Sequence, residues 1–497
     1  MGDTETGGEH ATRTLQAGSS QPSPHSSPEQ SSQPVPALRE SLEAGAPPSM
    51  EPVGPPDATR SPAGGIGGGR SSGRGSRIYA ASVAASCAVG LVVRLVYAFG
   101  DKYHDVWQGD SYYYHYQAKY LLKGWWFINP GVLHHHGTPR VELFSAQHPP
   151  AFTSFLAFFD LFGLHRLGAQ KLLMCLVGVA TIWAVSALAR ELAGVRAGVI
   201  AAVLGALYPG MWVFDGQVMS EALLMLLAAL TLLAAYRCRR DPRPWRLLLL
   251  GAGTALCALT RSEAILYIPL IALPVAWGIH RSLGARARST ALALGAAVLV
   301  LLPWTVRNLV VFEHPVFLSD QLGITLAAAN NKTTYSNGPL FASWCFPCVH
   351  DVKEPVADES VQQVFWEHEA ENFVKHHLSR VPAVVAARVG ITWSLYAPRL
   401  QASENVIQGW PVAVSLAWLW WYYPLALLAI LGAVVLRRRR IAIYPLMAVP
   451  ITVTAASIVT YGNLRFRAEA EVVIVTLAAV CLDAVSGWVA ARAGWRQ

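Results

Sequence analysis

The sequence is short of charge. Of its 497 residues only 14% are Asp, Glu, Lys or Arg, roughly half the share of a soluble domain. Lysine is scarcer still, with seven residues against 32 arginines. Seven cysteines in a chain of this length exclude a scaffold built on disulfides. A collagen repeat is missing, and a chain that is 53% hydrophobic is not disordered throughout. These absences leave a polytopic membrane protein. The formal charge of +8 suggests a nucleic-acid partner only until its distribution is mapped.

The chain divides into a tail and a membrane body. Residues 1–77 hold 13 Gly, 13 Ser and 11 Pro and almost no large apolar groups. Such a segment cannot bury enough surface to offset its ordering entropy, so a disordered tail is expected. It lacks the apolar core and cleavage site of a secretory signal and is expected to stay attached. Its Gly64–Gly69 run follows no strand and opens no helix, so it reads as low complexity and not as a phosphate loop.

From Ile78 to about residue 490, apolar runs of bilayer-spanning length recur. Ten spans are predicted, near 78–99, 168–189, 194–210, 217–236, 245–260, 264–280, 289–309, 410–436, 441–461 and 469–490. The fold class expected is therefore an all-α polytopic membrane protein of about ten transmembrane helices. If the tail is cytoplasmic, the cytoplasmic segments, including the C-terminus 491–497, hold nineteen arginines against Glu191 and Asp241. The long segment 312–409, on the other side, has ten acids and six bases. The positive-inside rule then orients the chain with its N-terminus cytoplasmic in a cell membrane. The excess charge is a topology signal, and nucleic acid falls away as a partner.

Two outer segments, 101–167 and 312–409, are too long to be connectors. The first opens with Asp105 and Gly109-Asp110 and continues into a predicted helix with Tyr112, Tyr116 and Tyr120 on one face, a spacing suited to the membrane interface. It ends in His148-Pro149-Pro150 and a short apolar stretch, Ala151 to Leu164, expected to be interfacial or re-entrant. The second has an acid-rich centre and an amphipathic run from Val381 to Leu395. Within it, Cys345-Phe346-Pro347-Cys348 is best read as a local disulfide on the oxidising face. A metal site using His350, or free thiols, are the alternatives. His134, His135 and His136 are consecutive and cannot all face one ion from regular structure, so a solvated loop is preferred there.

The informative charges are those that break the pattern. Arg94 lies inside the first span, and Arg261, Arg307, Arg465 and Arg467 fall at outer span ends. Cations there need a partner. A lipid phosphate suits a forked guanidinium, and Glu221 and Glu263 offer internal ion pairs instead. Asp110 and Asp105, just outside the first span, could deprotonate an incoming hydroxyl or serve as ordinary hydrated loop acids. For a sugar carried on a lipid phosphate the leaving group is already a stable anion, so one base and a cationic clamp suffice. In-line attack then inverts the anomeric centre.

These residues carry a family resemblance. Gly109-Asp110-Ser111 with Tyr113, Ala118 and Gly124 resembles the first-outer-loop motif of the GT-C membrane glycosyltransferases, in particular the protein O-mannosyltransferases and lipid A aminoarabinose transferases. His148-Pro149-Pro150, Leu259-Thr260-Arg261, Pro303-Trp304-Thr305-Val306-Arg307-Asn308 and Gly462-Asn463-Leu464-Arg465-Phe466-Arg467 are similar to further features of that group. The resemblance spans residue 78 to about 485. It implies a hexosyl- or pentosyltransferase moving a sugar from a polyprenyl-phosphate donor to a hydroxyl or amine on a glycan, lipid or protein at the outer face. It implies Asp110 as catalytic base, Asp105 as supporting acid or metal ligand, and donor binding by His148, Tyr113, Arg261, Arg307, Arg465 and Arg467. Many relatives have Lys where His148 stands. A divalent ion, Mg or Mn, stays open, because the group has metal-dependent and metal-independent members. The competing expectation is a transporter or flippase for a lipid-linked sugar, which would place ionisable groups near the membrane midplane.

Overall fold

The computed structural model describes residues 69–101, 109–131, 144–349 and 357–492, with isolated positions at 352, 353, 355 and 494. Asp105, His134, His135, His136 and His350 lie outside the described residues.

The apolar runs fold as helices. α1 (Gly69–Val96) starts within the Gly/Ser-rich segment, ahead of the expected span, and closes in a π turn at Tyr97–Asp101. α2 (Asp110–Leu122) and α3 (Pro150–Asp160) lie in the first long segment. The bundle continues through α4 (Leu167–Ala193), α5 (Val195–Leu207), α6 (Ser220–Arg240) and α7 (Pro244–Thr260).

The predicted span at 264–280 is not one regular helix. A 3₁₀ turn at Ser262–Leu266 leads into a π turn at Ile268–Ala272 and the short α8 (Leu273–Gly278). Pro269 and Pro274 lack the amide hydrogens that a continuous helix needs, and the backbone adjusts its hydrogen-bond spacing around them.

α9 (Leu283–Val311) ends at the second long segment, which holds α10 (Leu322–Ala329), α11 (Glu359–His376) and α12 (Val381–Thr392). α13 (Val412–Arg438), α14 (Tyr444–Val459) and α15 (Ala468–Arg492) complete the fold. Among the described residues the only pairing of strand type is an isolated antiparallel bridge between Ile128 and Phe144.

Among the described residues six helical segments are long and apolar enough to cross a bilayer: Gly75–Gly100, Leu167–Ala193, Ser220–Arg240, Leu283–Val311, Val412–Arg438 and Leu464–Arg492. The other expected spans are shorter apolar helices at 195–207, 244–260, 262–278 and 444–459. α15 is buried on every side from Ala468 to Cys481, as expected of a helix at the centre of a bundle. α4, α5, α6 and α13 pack around it.

The largest group of buried apolar side chains joins these helices to α7 and α14. With lipid outside as apolar as the interior, close packing and internal polar pairing, more than water exclusion, hold such helices together. One such pairing fixes α1. Arg94 is fully buried, its Nε donates to Asp215 Oδ2 at 2.7 Å, and its Nη2 donates to the Met211 carbonyl at 2.7 Å. A Cβ at Gly178 of α4 would collide with both side chains of this pair, so the glycine makes room for it.

Candidate active site

Asp110 is the first residue of α2. Gly109 before it has φ +59°, a conformation that side chains disfavour, and this lets the chain turn into the helix at that point. A carboxylate in the first turn also suits the positive end of the helix dipole. Of the three tyrosines on one face, Tyr112 and Tyr116 pack with tilted rings at 4.5 Å between ring centres, and Tyr116 and Tyr120 lie 6.3 Å apart. The opposite face, with Tyr113, Tyr114, Gln117 and Ala118, is buried.

Asp110 stands between Arg465 and His148, which come from distant parts of the chain. Its Oδ2 accepts from Arg465 Nη2 at 2.5 Å, and its Oδ1 lies 3.4 Å from His148 Nε2. The second contact is long and poorly aligned, and Nε2 makes no hydrogen bond among the described residues. Burial would raise the Asp110 carboxyl, but Arg465 and His148 outweigh it and hold the group well below the usual carboxylate range. The side chain is 20% exposed, which leaves an edge open to an incoming group.

Arg465 also reaches Glu221 at the start of α6, and Glu221 Oε1 accepts from Arg261 Nη1 at 2.7 Å. Arg261 Nε donates to Glu263 at 2.6 Å. The outcome is a ladder of alternating charge, Asp110–Arg465–Glu221–Arg261–Glu263, built from four separate places in the sequence. Arg467, two residues beyond Arg465, is turned away into the core. Its Nε donates to Glu471 at 2.7 Å, and its guanidinium lies 3.7 Å from the centre of the Tyr422 ring.

Arg307 differs from the other four pattern-breaking arginines: among the described residues no carboxylate lies within ion-pair distance of it. Its Nη1 donates to Asn308 Oδ1 at 2.9 Å and the Ser145 carbonyl at 3.2 Å, and its Nη2 donates to the Phe127 carbonyl at 3.3 Å. The rings of Phe127, Phe144, Trp304 and Phe312 surround it.

The segment 145–148 joins this cation to the first. Tyr113 shares a 2.7 Å hydrogen bond with the Ser145 hydroxyl, accepts one from Gln117 at 2.6 Å, and packs edge-on against His148 at 4.9 Å between ring centres. The structure thus brings together Asp110, Tyr113, His148, Arg261 and Arg465, sets Arg307 on the flank of the same segment, and directs Arg467 elsewhere. Cys345 and Cys348 are disulfide-bonded, with Cα atoms 5.4 Å apart.

The acid-rich centre of the second long segment includes Glu359, whose partner Asp320 the sequence did not single out. Glu359, at the start of α11, accepts from Asn129 Nδ2 at 2.8 Å and from the Ala146 amide at 3.1 Å. The Asp320 amide donates to the Ala146 carbonyl at 3.1 Å, and its carboxyl meets that of Glu359. Two carboxyl groups can bond only through a proton held by one of them. Burial first, and the neighbouring carboxylate next, raise Asp320 well above its ordinary value, and burial raises Glu359. Only the residue spacing 320 to 359 was visible in the sequence, and no local pattern marks such a contact. Asp215 was detectable, as the acid between the apolar runs at 194–210 and 217–236.

Among the described residues no group of three or more His, Cys, Asp or Glu side chains is arranged to hold a metal ion.

The site thus sits where a bundle of apolar helices meets the first long segment, with a carboxylate on that segment and arginines at helix ends around it. Residues 147–306, about a third of the chain, match the family model described as dolichyl-phosphate-mannose-protein mannosyltransferase. Among solved structures, the chain is similar to the archaeal oligosaccharyltransferase AglB from Archaeoglobus fulgidus in complex with an inhibitory peptide and a dolichol-phosphate. The TM-score is 0.50 at 12% identity, over 84% of this chain and 52% of that one. The Archaeoglobus fulgidus enzyme complexed with Zn and sulfate aligns at TM-score 0.48 and 14% identity, over 82% and 50%. ArnT from Cupriavidus metallidurans bound to undecaprenyl phosphate aligns at 0.37 and 16%, over 81% and 77%. The chain spans about half the length of the archaeal enzymes it matches. No curated protein matches its sequence.

Proposed function

We propose that the protein is an inverting glycosyltransferase that moves a sugar from a polyprenyl-phosphate donor to a hydroxyl or amine acceptor on the outer face of the membrane. The observation that carries this reading is the Asp110–Arg465 pair beside His148, an ionised carboxylate held against a guanidinium at the open edge of the bundle.

In the reaction, Asp110 takes the proton from the acceptor as its oxygen or nitrogen bonds to the anomeric carbon. The bond from that carbon to the phosphate oxygen breaks, and its electron pair leaves with the lipid phosphate. No proton donor is needed for such a leaving group. Arg307, with no carboxylate within ion-pair distance among the described residues, and His148 bind the donor phosphate, and Tyr113 holds their shared segment. Arg261 and Arg467 support the site through Glu221 and Glu471.

Arg465 has a double task. While it is paired with Asp110, the carboxylate is a poor base. A donor phosphate competes for the same guanidinium, and drawing Arg465 away restores the basicity of Asp110 as the donor settles.

The test is transfer of labelled sugar from polyprenyl-phosphate donors to candidate acceptors in membranes containing the protein. Asp110→Asn is expected to abolish transfer while the protein still inserts and elutes as a folded species. Full activity in that variant removes Asp110 as the base.

A further inference from the structure

α13 and α14 are consecutive, antiparallel and joined by a short turn, yet they scarcely touch each other, because each leans on α15 instead. A cleft of about 410 Å³ lies between the three helices. Its walls are almost wholly apolar, with Ala433, Met447 and Ile474 among them. Trp393 and Tyr422 stand at one end and Arg437 at the other. Tyr422 and Arg437 are fifteen residues apart on α13, so the cleft runs about 22 Å along the helix, most of the roughly 30 Å hydrocarbon thickness of a bilayer.

Its two mouths differ in charge. At the mouth near the candidate active site, Arg467 is already answered by Glu471 and stacked on Tyr422. At the far mouth, Arg437 begins the run Arg437–Arg440. The carboxylates of that end are taken: Glu191 by Arg237 and Arg240, Asp241 by Arg243 and Arg246, and Asp483 by Arg196. Among the described residues, the four arginines have no carboxylate within ion-pair distance.

An apolar slot with an unanswered cation at one mouth suits an amphiphile with one anionic head. We propose that this cleft binds a chain of an anionic phospholipid, with its phosphate against Arg437 on the face remote from Asp110. The free charge decides the orientation. A polyprenyl-phosphate donor lying in the same slot would put its phosphate either beside an arginine that is already paired or at the wrong end for Asp110.

The experiment uses the full chain, stripped of lipid in a neutral detergent and given phosphatidylglycerol or phosphatidylcholine with matched acyl chains. Bound lipid is read by native mass spectrometry, so no transfer activity is required. Phosphatidylglycerol should be retained in preference to phosphatidylcholine. Arg437→Gln, a change at an exposed position, should weaken phosphatidylglycerol about fivefold and leave phosphatidylcholine unchanged. Ala433→Trp, which fills the slot, should remove both, and monodisperse elution with unchanged melting shows that the fold survives. Equal retention of the two lipids, or unaltered phosphatidylglycerol binding in Arg437→Gln, overturns the proposal. So does undecaprenyl phosphate displacing phosphatidylglycerol in an Arg437-dependent way, which would give the cleft to the donor.

Discussion

At the scale of single residues, arginine inside an apolar bundle has to be answered, and the answers sort these arginines by role. Arg94 is answered by Asp215 and two helix-end carbonyls, all buried. Its work is to fasten α1. Asp215→Asn leaves that guanidinium uncompensated, and the expected loss is about 3–5 kcal/mol. A lower melting temperature in detergent checks it, with Arg94→Met/Asp215→Leu recovering part of the loss. Among the described residues Arg307 is answered by carbonyls, an amide oxygen and aromatic faces and by no carboxylate at ion-pair distance, which leaves its net charge available. Arg307→Ala should raise the half-saturation concentration for a polyprenyl-phosphate sugar about tenfold or more, the effect of losing one charge-assisted contact of 1.5–3 kcal/mol. The maximal rate should change much less. An unchanged half-saturation value would make Arg307 a packing residue.

At the scale of elements, the first and second long segments are clasped together where Glu359 of α11 and Asp320 hold the 145–147 strip on its course to His148. Both carboxyls titrate above their ordinary values, so the folded state holds protons that the unfolded chain would release. Stability from this clasp is therefore fully present at pH below the ordinary carboxyl values and declines as pH rises through the raised ones. Amide exchange at Ser145–Gln147 is expected to quicken on passing from pH 5 to pH 9, beyond the intrinsic base-catalysed increase seen in the unfolded chain. Glu359→Gln, which carries its own hydrogen to donate, should flatten that excess. The clasp also shows which parts of the molecule a sequence discloses. Helix positions follow from apolar run lengths, and the Gly109-Asp110 turn follows from local chemistry, so both were legible. The irregular path from Ser262 to Gly278 was hinted at by Pro269 and Pro274 but read as one span. Pairings such as Asp320 with Glu359, or Arg465 with Asp110, depend on how whole segments fold back on one another. The sequence shows their charges and not their partners.

At the scale of the molecule, the arginine-rich turns gather at one end, where Arg240 meets Glu191 and Arg239 donates to Tyr444 at 2.9 Å. The candidate active site lies at the other. By the positive-inside rule we propose that the arginine end is cytoplasmic. Single cysteines placed at Ser282 and Asn337 should then label from opposite sides of the membrane, Ser282→Cys from the cytoplasm and Asn337→Cys from outside. Labelling of both from one side would invert or break the topology. Removing residues 1–65 should leave insertion and melting temperature unchanged, since the described helices from Gly69 to Arg492 pack on one another.

The ion pair between Arg465 and Asp110 joins positions 355 residues apart. Arg465 leaves the ribosome 355 residues after Asp110, just ahead of the central helix. Until the segment that carries it has been inserted, the Asp110 carboxylate lacks the Arg465 guanidinium and the central place in the bundle is empty. A chain broken off at any earlier point is therefore not a weaker version of the protein. Arrival of the central helix and assembly of the site are the same event.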